Sequence, residues 1–102
     1  MKETLQKFIK ALNEEKFKDA HEIMEYQWKE YKKQNHPTTK LLKGFINGAT
    51  AFELVKRGNI DGAYRLWSVY EKYLPIMNPQ IEEYELFCEA NRILYSFKNI
   101  NL

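Results

Sequence analysis

The sequence predicts an all-α protein, a compact bundle of about five helices in a single domain spanning residues 1–102. Three observations carry that expectation. Apolar residues recur at steps of three and four along most of the chain, the spacing that lays a stripe down one side of an α-helix. No stretch sustains the apolar–polar alternation of a strand, and good helix formers dominate. Proline, glycine and asparagine then cut the periodic run into segments of helical length, at Asn35–Thr38, at Gly58–Asn59 and at Pro75–Pro79. With 44% apolar and 15% aromatic residues, the chain can fill a core without disulfides or metal.

The first helix is expected from Glu3 or Thr4 to Glu14, with Leu5, Phe8, Ile9 and Leu12 facing inward. The second begins near Phe17 and ends around Gln34. Its stripe is Phe17, Ala20, Met24, Trp28 and Tyr31. Pro37 bars continuation, and Thr38 or Thr39 can cap the third helix, Lys40 to Arg57. That helix is apolar over most of its girth, through Leu41, Leu42, Phe45, Ile46, Ala49, Phe52 and Val55, which suits the middle of a bundle. Gly44 and Gly48 each cost helix propensity of about 1 kcal/mol against alanine, so another helix is expected to approach closely there. The small pair Gly62–Ala63 is the expected mate.

Gly58 fits the left-handed position that ends a helix, and Asn59 can cap the fourth helix, which runs to about Leu74. Pro75 stops it. Asn78 and Pro79 read as cap and first residue of a last helix from Gln80 to Phe97. Ile81, Tyr84, Leu86, Phe87, Ile93, Leu94 and Phe97 spread apolar surface widely around it. A terminal helix with that much apolar surface sets the expectation of a homo-oligomer through Ile81–Phe97, unless the first helix and the tail cover it.

The most polar cluster sits on the second helix. His21 lies beside the apolar stripe, one turn from Glu25, and Glu22 neighbours Glu25 on the adjoining face. Three readings are open. His21 is a half-buried histidine held by Glu25 or a backbone carbonyl. Or His21 and Glu25 are ligands for a divalent metal, with other helices supplying the rest of the three protein ligands that a catalytic zinc needs. Or His21 and a glutamate line a ligand pocket as a hydrogen-bonding or acid–base pair. The zinc-protease helix H-E-x-x-H is excluded, because the position four after His21 is Glu25. His36, before Pro37, reads as a turn residue.

Composition narrows the function classes further. The net charge of +2 argues against a dedicated nucleic-acid binder, although Lys29, Lys32, Lys33, Lys40 and Lys43 gather near Tyr26 and Tyr31. Cys88 is the only cysteine, so no intrachain disulfide forms and no C-x-x-C pair exists. No signal peptide and no membrane span is legible, and the expected location is the cytoplasm.

Three motifs in order carry a family resemblance. His21 to Trp28 reads H-E-x-x-E-x-x-W, preceded by Phe17 and Ala20. Gly44-Phe45-Ile46 is followed by Ala49 and Ala51. Gly58, Asn59, Gly62 and Ala63 form G-N-x-x-G-A. From about Leu12 to Leu74 the chain resembles the family catalogued as Domain of Unknown Function 309. The resemblance implies a compact all-α bundle and makes His21, Glu22, Glu25 and Trp28 signature positions. It implies no activity. The chain departs from the family's pattern at Lys43, Asn47 and Glu53, where relatives tend to carry Gln, Gln and His. Asn47 and Glu53 therefore join the candidate site, with Glu53 able to act as a ligand or acid–base group. The expected function is a non-catalytic binding or scaffold module that self-associates; the alternative is a metal- or ligand-binding enzyme using His21, Glu22 and Glu25.

Overall fold

Five helices follow one another in the computed structural model, which describes residues 1–102. They are α1 (Lys2–Asn13), α2 (Phe17–Lys33), α3 (Thr39–Lys56), α4 (Ile60–Tyr73) and α5 (Tyr84–Asn101), with a 3₁₀ turn at Leu74–Ile76 and no strand. A single cluster of 23 buried apolar residues draws on all five helices. No helix is long and apolar enough to cross a membrane.

The helix apolar over most of its girth lies in the middle, as its composition predicts. α3 packs most extensively against α4, then against α2, while α5 lies mainly on α1. Two phenylalanines of α3 are the nodes of the core. Phe45 meets Phe8 of α1, Tyr70 of α4 and Phe87 of α5 at ring-centroid distances of 5.9, 5.1 and 5.4 Å. Two turns on, Phe52 meets Phe17 of α2, Trp67 of α4 and Phe97 of α5 at 5.6, 5.7 and 5.7 Å. Each such pair adds about 0.5–1.5 kcal/mol to the burial of its rings.

The glycines of α3 do receive a close neighbour, but not the one expected. A Cβ on Gly44 would stand 3.2 Å from the Tyr73 Cβ, and one on Gly48 would stand 3.2 Å from the Tyr70 ring and 3.1 Å from Leu94 Cδ1. Gly62 and Ala63 are buried elsewhere. The hairpin geometry explains the correction. The chain reverses at Gly58, which holds a φ of +79°, so residues equally distant from that turn meet. Gly44 and Gly48 are far back along α3 and must face the far end of α4. Asn59 caps α4 as its sequence suggests, its Oδ1 accepting from the Gly62 amide at 3.0 Å.

The start of the last helix also differs from expectation. Asn78 and Pro79 do not open α5. The Asn78 side chain accepts from the Gln80 amide at 2.9 Å and its carbonyl from the Ile81 amide at 3.1 Å, closing an isolated turn. Glu83 then adopts a left-handed φ of 61° and breaks any helical ladder from that turn. The helix begins at Tyr84 and runs on to Asn101, four residues beyond the expected Phe97. Along it Phe87, Ala90, Ile93 and Leu94 are buried, and Leu86, Tyr95 and Phe97 pack partly buried against the core. The most exposed apolar side chain of α5 is Ile100, at 81%.

Candidate functional site

α2 carries His21 at the border between core and solvent because the buried stripe of Phe17, Ala20, Met24 and Tyr31 fixes how the helix lies on α3. From that edge the imidazole reaches across the helix pair. Its Nδ1–H donates to Glu53 Oε1 of α3, in a short contact. Its Nε2 faces Glu25 Oε2 at 3.7 Å. Glu53 Oε2 lies 3.7 Å from Arg57 Nη2, and Glu25 Oε1 lies 3.7 Å from Lys29 Nζ. Charged and chargeable groups therefore alternate along one line from Arg57 through Glu53, His21 and Glu25 to Lys29. Glu53 is the least exposed member, its side chain 10% accessible against 22% for His21 and 40% for Glu25.

This arrangement decides what the cluster can hold. The two carboxylates contact different nitrogens of one ring, and those nitrogens point apart. His21, Glu25 and Glu53 thus do not converge on a common point, and no group of three or more His, Cys, Asp or Glu side chains anywhere in the chain forms a metal-holding set. Glu22 is exposed on the solvent side of α2. Asn47 turns its side-chain amide back to the Lys43 carbonyl of its own helix at 3.0 Å. Of the candidates read from the sequence, the fold brings together His21, Glu25 and Glu53 and leaves Glu22, Asn47 and Trp28 apart from them.

Beside the line lies a surface hollow of about 320 Å³, whose wall includes Glu53 and Lys56 of α3 and Arg57 just after it, with Lys16 and Asp19 at the start of α2. Glu53 is the one member of the His21 cluster besides Arg57 that borders it. The Lys56 ammonium donates to the Glu15 carbonyl at 3.0 Å and rests over Phe17 at 5.1 Å.

Trp28, one turn beyond Glu25, belongs to a second locality. Two ammonium groups stand over its half-buried indole, Lys43 of α3 at 4.6 Å from the centroid and Lys32 of α2 at 5.0 Å. The nearby His36 behaves as the turn residue its sequence suggests. Its ring stacks on Tyr31 at 3.9 Å, and its Nδ1 accepts from the Thr38 amide at 3.1 Å. Lys32 belongs by sequence to a run of lysines, and its spacing of four from Trp28 is the signal that places it over the ring. Lys43 comes from another helix, and no local spacing reveals it.

Three tyrosines packed into the bundle, Tyr31, Tyr70 and Tyr95, hold their protons more tightly than a free phenol. Burial, with the neighbouring Tyr95 and Glu71, pushes the Tyr70 phenol above its ordinary range, and its hydroxyl donates to Asn91 Oδ1. Burial together with Glu82 and Glu83 raises Tyr31, and burial together with Glu71 raises Tyr95.

The family model described as domain of unknown function (DUF309) matches residues 5–66, from α1 through the first half of α4. No curated protein and no solved structure matches the chain.

Proposed function

We propose, from the premise that the chain belongs to the DUF309 family, that it is a non-catalytic binding or scaffold module of the cytoplasm that self-associates through its last helix. The observation that carries this reading is the apolar surface at the end of that helix. Ile100, 81% exposed, stands in the last turn of α5. Ile60 and Tyr64, 41% and 46% exposed, share a face of the first turns of α4. The Tyr64 hydroxyl donates to the Leu102 carbonyl, which draws the two helix ends together. Three of the four large apolar side chains that are exposed thus gather at one end of the bundle, a composition that suits a contact between copies. Sedimentation equilibrium at high micromolar concentration tests it. The expected result is a dimer or larger assembly that falls to monomer in Ile100→Lys. A wild-type protein that sediments as a monomer overturns the reading.

The second reading, an enzyme or ligand-binding site at the His21 cluster, is favoured by one observation: Glu53 both accepts the His21 proton and borders the hollow at the start of α2. A carboxylate in that position can pass a proton between the ring and a ligand in the hollow. A structural role for His21, as a half-buried ring held between helices, is preferred because both of its ring nitrogens already face carboxylates of the chain itself.

A further inference from the structure

The Trp28 locality gathers charge in a way the rest of the surface does not. Four cations have carboxylate partners: Lys16 with Glu14, Lys29 with Glu25, Lys33 with Glu30 and Arg57 with Glu53. Lys32 and Lys43 make no such pair and lie instead over one indole. Together with Lys40 they line a hollow of about 370 Å³, walled also by Trp28, His36 and Tyr73, and no acidic residue lines it. The first turn of α3, through Thr39 and Lys40, opens onto the same hollow. Its amides receive no side-chain cap, because the Thr38 hydroxyl is turned to His36. The positive end of an 18-residue helix therefore adds to three ammonium groups.

Like charges held together around a hollow repel one another, and an anion placed among them removes that repulsion. The aromatic wall adds a second demand. Trp28 borders this hollow and an adjoining one that also contains Lys32, so its half-buried indole can be reached from both once the ammonium groups move aside. We infer that the hollow between Trp28, Lys32, Lys40 and Lys43 binds a nucleoside polyphosphate, its base stacked on the Trp28 indole and its phosphates held by the three lysines. Phosphates draw the Lys32 and Lys43 ammonium groups off the ring into charge-assisted hydrogen bonds and clear the face that the base occupies. The size of the hollow falls in the range of small-ligand sites.

A free nucleotide fits better than a nucleic-acid strand. A strand needs a cationic track that continues past a single site. Here the lysines next along α2, Lys29 and Lys33, are each neutralised by a glutamate of the same helix, at 3.7 and 3.5 Å. The site stands apart from the apolar end surface and does not depend on self-association.

Isothermal titration of the full chain at low salt tests the inference, with ATP, inorganic pyrophosphate and an oligothymidylate as probes. ATP is expected to bind saturably, with affinity at least about tenfold lower in K32Q/K43Q. In Trp28→Leu, ATP is expected to weaken by about tenfold while pyrophosphate is unchanged, and Trp28→Phe is expected to restore ATP binding. Circular dichroism establishes that each variant is folded. No saturable ATP binding, or ATP binding indifferent to K32Q/K43Q, overturns the site. Pyrophosphate binding as tightly as ATP overturns the stacked base, and oligothymidylate binding more tightly than ATP overturns the free nucleotide in favour of a strand.

Discussion

Removing the His21 ring while keeping the Glu53 carboxylate separates a structural brace from a reactive site. In His21→Ala the carboxylate, whose side chain is only 10% exposed, loses its donor, and its remaining partner Arg57 stands 3.7 Å away on a side chain 68% exposed. An unsatisfied buried acceptor costs about 1–3 kcal/mol, more when charged, and breaking a fully buried pair costs about 3–5 kcal/mol. Because Arg57 persists and His21 is itself 22% exposed, the expected loss is about 2–3 kcal/mol. For a domain of this size that lowers Tm by about 10–20 °C. Glu53→Ala leaves His21 facing Glu25 and is expected to cost less. Chemical denaturation of both single variants and the double variant closes the cycle. The expected coupling is about 1–2 kcal/mol, and additivity within about 0.5 kcal/mol refutes the brace. The same melts after chelator treatment, with zinc or manganese added, probe the other reading. A metal held at 100 times its Kd adds about 2.7 kcal/mol, whereas a ring whose nitrogens point to opposite carboxylates gains nothing of that size.

Gly48→Ala is expected to lose about 1 kcal/mol despite the better helix propensity of alanine, because overpacking outweighs that gain. The added methyl meets a Tyr70 ring that cannot yield: its hydroxyl is held by Asn91 and its faces by Phe45 and Trp67 at 5.1 and 4.9 Å. A variant at least as stable as wild type in urea would show that the ring moves. Alkaline pH should destabilise the bundle. Tyr31, Tyr70 and Tyr95 have folded pKa values raised above the ordinary 10.0, so the stability they contribute is complete below about pH 10 and drains as pH rises beyond it. Tyrosinate absorbance should lag for these among the seven tyrosines until near-ultraviolet dichroism is lost, and all seven ionising freely in the folded state would contradict this.

The local content of the chain determined the elements wherever one signal had one meaning. The stripes of α1 and α2, the Pro37 break, the left-handed Gly58 and the Asn59 cap act within a few residues, and the helix limits from α1 to α4 lie within two residues of those read from periodicity. The girth of apolar residues on α3 likewise announced the central helix. Asn78–Pro79 had two meanings, a cap or a turn. Only the packing of Phe87 and Leu94 into the core, with Glu83 strained to re-aim the chain, chose the turn. The site divides along the same line. His21 and Glu25 are four residues apart on one helix, so their adjacency is written in the spacing. The Glu53 partner of His21, the Lys43 ammonium over Trp28 and the Tyr70 ring against Gly48 join residues of different helices. Such contacts depend on the rotation and register of one helix against another, which the summed burial of the whole core decides and no short stretch of sequence contains.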